Sequence, residues 1–176
     1  MKRSAQGFTL IEAMVAMAIL AIGTTIAAPA MGDLLLHQRA IAATSALTTQ
    51  LQLARMAAVT YRQPAVLCPS SSGSACDPST DWSGGWILFM DPNGNRELDP
   101  GEDVVRVEST RNSRTLRLPG SQGRPRVRYM PDGRSAGSNL TISVCSSDGA
   151  LLRAVIVNNA GRPRVARPTG PTTCPG

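Results

Sequence analysis

Aromatic side chains are almost missing from this chain: two Trp, two Tyr and two Phe in 176 residues. Any core must therefore be filled by small aliphatics, and a surface that stacks bases on aromatic rings is not expected. Histidine occurs once, as His37, which argues against a multi-histidine metal enzyme, and it stands far from any candidate catalytic partner. Lysine also occurs once, as Lys2; every other basic residue is arginine. Charged residues make up 17% of the chain, low for a soluble protein, so one segment is expected to be purely apolar. No P-loop, Ser/His/Asp set or paired-carboxylate site stands out, no internal repeat is visible, and the chain is not expected to be an enzyme or to carry a cofactor.

What is present is uneven. Apolar residues are 42% of the chain, enough for one compact domain. The formal net charge is +6, but its distribution is lopsided. Residues 1–110 hold seven basic against ten acidic residues, whereas 111–176 hold eleven against two. The last third is thus expected to meet something anionic, and the forked guanidinium suits phosphate.

The N-terminus is short and basic (Lys2, Arg3) up to Gly7, and continues Phe8-Thr9-Leu10-Ile11-Glu12. Residues 13–31 then carry no charge. Nineteen such residues would form a helix of roughly 28 Å, about one hydrocarbon core. Lys2 and Arg3 would stay cytoplasmic and place the remainder outside. Glu12 is costly so near an apolar helix unless it lies at an interface or is paired with a charge from another chain.

Gly7-Phe8-Thr9-Leu10-Ile11-Glu12 resembles the class III signal of type IV pilins and type II secretion pseudopilins. The resemblance implies cleavage after Gly7 by a prepilin peptidase and N-methylation of Phe8. It also implies pairing of Glu12 with the terminal amine of a neighbouring subunit's first residue. The implied course is an inner-membrane, single-pass protein with its head in the periplasm, later packed into an extracellular filament with other major and minor pilins.

Pro29 removes a backbone hydrogen bond and favours a kink, with Gly23 and Gly32 on either side. Beyond Asp33, Leu47, Leu51, Ala54 and Ala58 fall on one helical face, and a helix is expected to about Tyr61, ending before Pro64. Strands are expected at 65–68, 85–90, 103–108, 115–118, 126–130, 140–145 and 151–158, with a hairpin at Asp148-Gly149 and a Ser/Pro/Gly-rich loop at 69–84. Trp86 and Phe89 read as core. The expected fold is α+β: a long N-terminal helix whose outer half packs on an antiparallel β-sheet head. The expected segments are a leader 1–7, an apolar transmembrane or filament-core helix 8–31, an amphipathic helix 32–62, a β-rich head 63–160 and an arginine-containing tail 161–176.

Gly85-Trp86-Ile87-Leu88-Phe89-Met90-Asp91, Tyr129-Met130-Pro131-Asp132-Gly133-Arg134 and Gly161-Arg162 resemble the GspH/FimT group of pilin-like proteins. The 91–102 loop has oxygen ligands spaced as in an EF-hand, but Arg96 occupies the position where that turn needs glycine, so a plain turn without metal is expected. Cys68, Cys76, Cys145 and Cys174 allow three pairings in an oxidising compartment. Cys68–Cys76, closing a short loop, and Cys145–Cys174, tethering a loose tail into an arch, are favoured.

Inside that arch, Arg162 and Arg164 would point the same way in an extended segment, with Arg167 beyond them. Arg124, Arg126 and Arg128 repeat the pattern on an expected strand. Alternating arginines can line a phosphate backbone. Gly161-Arg162-Pro163-Arg164 also matches the Gly-Arg-x-Arg motif of FimT-like minor pilins, which implies binding of double-stranded DNA, without sequence preference, during natural transformation. The alternative is a structural subunit like FimU or pseudopilin H, for tip assembly or type II secretion, whose basic surface is solvated or meets acidic neighbours.

Overall fold

The computed structural model describes residues 8–109, 115–135, 137 and 139–175, and only the backbone of 26–30. The leader and its cleavage residue Gly7 lie outside the described residues, as do the Pro29 side chain and part of the expected 8–31 span. The chain divides into two compact units, Met1–His37 and Gln38–Gly176.

A single helix, α1 (Leu10–Tyr61), runs through both. Its assignment continues across Pro29. In the first unit its apolar side chains are exposed on every side: Leu10, Ile11, Met14, Met17, Ile19 and Leu20 are all more than half exposed. Such a surface needs lipid or other helices to cover it. Among the described residues, no helix is long and apolar enough to cross a membrane.

In the second unit α1 is amphipathic in fact. Ala40, Thr44, Leu47, Leu51, Ala54 and Ala58 recur at alternating steps of four and three and are buried. The helix stops at Tyr61; Arg62 turns into the left-handed region (φ 54), and Pro64 prevents resumption.

The head contains two four-stranded antiparallel sheets. The first has the order β3 (Val104–Glu108), β2 (Trp86–Met90), β1 (Ala65–Pro69), β5 (Val127–Tyr129). Strands β1 and β2 are buried along their whole length, so both faces of this sheet centre are covered. Val66, Cys68, Ile87 and Phe89 form one cluster, onto which Cys76 and Leu98 pack from two loops. Trp86 and Phe89 are core residues, as expected.

The second sheet has the order β4 (Leu116–Arg117), β6 (Leu140–Ser146), β7 (Leu151–Val157), β8 (Pro163–Ala166). The β6–β7 hairpin closes at Gly149, which has φ 90 and donates its amide to Ser146 O. The seven expected strands are all present within a few residues of their expected ends.

The eighth is not among the expected strands and lies within the expected tethered arch. Residues 163–166 pair with β7 as an edge strand, where Pro163 removes no needed donor. The remainder is also held: Cys174 N donates to Gly149 O, Leu151 N donates to Thr172 O, and Cys174 is bonded to Cys145. Cys68 is bonded to Cys76.

Candidate functional site

The turn into β8 is built on a glycine. Gly161 has φ 73 and its amide donates to Asn158 O at 2.8 Å. It is packed against Gly133, Ser135 and Tyr129, so no side chain fits there. Two sequence motifs about thirty residues apart thus meet in space. Gly133 in turn lies beneath Arg55 and Val59 of α1. Tyr129 is buried, its hydroxyl has no hydrogen-bond partner, and burial pushes its pKa well above the usual phenolic value despite the opposing field of Arg55. Beside this turn, the Arg134 amide and then its guanidinium hold the Asp132 carboxyl below the ordinary carboxylate value.

Arg162, Arg164 and Arg167 are exposed, and none has an acidic partner among the described residues. They are not a simple alternating row. Arg164 is inside the ladder, opposite Ile156. Arg162 precedes the strand and lines a groove of about 610 Å³ with Arg55, Met56, Val59 and Pro163. Arg167 follows the strand. The helix residue Arg55 was missed by sequence reasoning; no local signal connects it to a turn a hundred residues later.

The second arginine row is different. Arg126 and Arg128 do flank Val127, but both are engaged by the 91–102 loop. Arg126 Nη1 donates to Arg96 O at 2.5 Å and to Glu97 Oε1 at 2.6 Å. Arg128 Nε stands 3.8 Å from the fully buried Asp91 carboxylate, and its guanidinium lies over Gly94. Both are thus partly buried and paired, unlike the arginines of 162–167. Arg124 is exposed and unpaired among the described residues.

The same loop closes on itself by hydrogen bonds. Asp91 accepts from the amides of Gly94 and Arg96, Asp99 accepts from Asn93 and Asn95, and Glu102 accepts from the Asp99 amide. Among the described residues, no group of three or more His, Cys, Asp and Glu is placed to hold a metal. His37 Nδ1 shares a hydrogen bond with Asp33 O inside the helix.

The family model for the type II transport protein GspH matches residues 43–161. The chain belongs to the GspH family. A prokaryotic N-terminal methylation motif also matches residues 2–28. Pilin-like protein PilA1 of Thermus thermophilus is 28% identical over 166 residues, covering 91% of this chain and 97% of the relative. Two crystal forms of the Pseudomonas aeruginosa PAO1 type IV minor pilin FimU share the fold. One has a TM-score of 0.56 at 17% identity, covering 78% of this chain and 96% of FimU. The other has 0.51 at 18%, covering 76% and 98%.

This GspH-family chain is therefore a minor pilin or pseudopilin of the GspH/FimT-like kind, and pilin families are structural. The family match ends at Gly161. It includes the glycine that makes the turn and stops before the arginines that follow it.

Proposed function

We propose that this minor pilin binds extracellular double-stranded DNA for natural transformation through Arg162, Arg164 and Arg167, with Arg124 as an outlying contact. In this reading the leader is removed after Gly7 by a prepilin peptidase and Phe8 is methylated. The apolar end of α1 holds the protein in the inner membrane as a single pass with the head in the periplasm. The protein then enters a pilus among other major and minor pilins, with Glu12 paired to a neighbour's amine. Arg126 and Arg128 act behind the surface, holding the 91–102 loop.

The observation that carries the DNA reading is the stretch 162–167: three exposed arginines within six residues, unpaired among the described residues, on and beside an edge strand. Guanidinium groups so arranged suit phosphate oxygens, and the scarcity of aromatics leaves no stacking platform for base recognition. Each neutralised phosphate contributes about −0.9 to the slope of log affinity against log salt; three contacts would weaken binding roughly 40-fold between 50 and 200 mM.

The test is titration of the full chain in detergent micelles with a duplex oligonucleotide across that salt range. Replacing Arg162, Arg164 and Arg167 by Gln should reduce the slope by about two to three and weaken binding at low salt. Unchanged slope and affinity would exclude these contacts. The second reading, a tip or secretion subunit without nucleic-acid binding, is supported by the FimU-like fold and by the exposed Met56 and Val59 beside Arg162. It predicts no duplex binding and capture of other minor pilins by the head.

A further inference from the structure

Four arginines line one open cleft of about 400 Å³: Arg96, Arg124, Arg126 and Arg128. Like charges gathered in a cleft repel unless anions lie among them. The fold supplies two, Glu97 beside Arg126 and Asp91 beside Arg128. Arg96 and Arg124 have no acidic partner among the described residues, which leaves the cleft a formal surplus of two positive charges.

Arg96 is held there against its conformational preference. Its φ is 67, which glycine adopts freely and arginine rarely. Its amide donates to the buried Asp91 carboxylate at 3.2 Å, and its carbonyl accepts from Arg126. A glycine at 96 would make the same turn without strain; what the arginine adds is an exposed side chain, at a position that lines the cleft. Two of the other lining residues, Gly123 and Gly137, have φ of 75 and 74, and a Cβ on either would meet nothing within 4 Å, so the cleft is not closed by them. The Nε atoms of Arg126 and Arg128 are buried without a hydrogen-bond partner.

We infer that this cleft is a binding site for a phosphate-type oxyanion, contacted by Arg96 and Arg124 and backed by the fixed guanidinium groups of Arg126 and Arg128. One phosphate dianion, or two adjacent phosphodiester monoanions, would match the surplus charge, and the guanidinium fork matches their oxygens. The chemistry is common to free phosphate and to a phosphate of a nucleic acid. Of its residues only Arg124 was proposed above as an outlying duplex contact, and the site does not rest on the function proposed for Arg162, Arg164 and Arg167.

The test is calorimetric titration of the full chain in detergent micelles with inorganic phosphate, against chloride at matched ionic strength. Saturable binding of one phosphate per chain is expected. Arg96→Gly with Arg124→Gln should weaken it at least tenfold, while Arg96→Gly alone, which relieves the left-handed backbone, should not lower the melting temperature. Glu97→Gln, at an exposed position, frees Arg126 and should tighten binding severalfold. Displacement of phosphate by a duplex oligonucleotide, persisting in the Arg162→Gln/Arg164→Gln/Arg167→Gln variant, assigns the site to a nucleic-acid phosphate. Absence of displacement assigns it to free phosphate; both support the site. Lack of saturable binding overturns it, as does affinity that neither the Arg96/Arg124 pair nor Glu97→Gln changes, or binding only of an acidic peptide.

Discussion

The backbone of Gly161 lies against the ring of Tyr129: a Cβ on the glycine would stand 3.1 Å from Tyr129 Cε1 and would collide with the Gly133 carbonyl. The turn that leads into the basic edge strand is thereby seated on β5 and on the 131–135 turn, which itself rests under α1. The direction in which Arg162 leaves the head is a property of packing, not of a mobile tail.

Gly161→Ala should therefore combine two penalties. The left-handed backbone (φ 73) costs an alanine about 1–2 kcal/mol, and overpacking adds roughly 1–3 kcal/mol. Gly101→Ala is the matched control: φ is 94, but a Cβ there would meet nothing within 4 Å. It should show the backbone cost alone. Chemical denaturation of both variants separates the terms, and equal losses would mean that overpacking against Gly133, Tyr129 and Ser135 contributes nothing.

Much of this architecture was legible in sequence because its signals are local. The stripe Leu47, Leu51, Ala54, Ala58 announced the buried helix face, and Pro64 its end. What failed was non-local. The segment Pro163-Arg164-Val165-Ala166 has a proline and an arginine where a strand pattern wants apolar alternation, yet an edge strand tolerates both because only one side is paired. The division into two sheets follows from pairings that no short window contains. The pairing of Arg126 and Arg128 was not legible because their partners, Glu97 and Asp91, are 29 and 37 residues distant. Arg96 left a partial signal: it fills a turn position suited to glycine.

The two disulfides should differ in what they stabilise. Cys145–Cys174 spans 29 residues and Cys68–Cys76 spans 8, so loop-closure entropy assigns about 3.5 and about 2.5 kcal/mol to them respectively, before any native-state relaxation. Replacing Cys145 and Cys174 by alanine should also raise amide exchange at Leu151 and Cys174, whose hydrogen bonds join the C-terminal segment to the β6–β7 hairpin. Loss of Cys68–Cys76 should leave those amides protected. Hydrogen exchange on both double variants decides; identical protection would show that the bond does not hold the segment.

Tyr129 sets an alkaline limit. Its folded pKa lies above the unfolded value of about 10, because burial disfavours the phenolate. Above pH 10 the unfolded chain has lost this proton and the folded chain keeps it. Stability is thus fully present below pH 10 and falls as pH rises, by up to about 1.4 kcal/mol per unit from this group. Tyr129→Phe removes a buried hydroxyl that has no hydrogen-bond partner, so it should be near neutral at pH 7 and flatten the alkaline decline. Denaturation midpoints between pH 8 and 11 provide the comparison. A parent and variant falling in parallel would rule Tyr129 out as the cause.

Thr9 and Glu12 divide the work at the start of α1. Thr9 directly precedes the first helical residue, and its Oγ1 accepts the Glu12 amide at 3.3 Å, the threonine half of a capping box. The Glu12 carboxylate has no hydrogen-bond partner among the described residues and lies in the first turn, where the helix dipole favours an anion. If that carboxylate meets a neighbouring subunit's amine in a filament, charge and cap are separable. Thr9→Val should destabilise the helix start by about 1 kcal/mol and still allow entry into filaments. Glu12→Gln keeps the backbone bond and the side-chain shape but removes the charge, and should reduce incorporation at least tenfold, read by immunoblotting sheared filaments. Wild-type incorporation of Glu12→Gln would exclude the intersubunit pairing, and an equal loss from Thr9→Val would transfer the role of this turn from charge to capping.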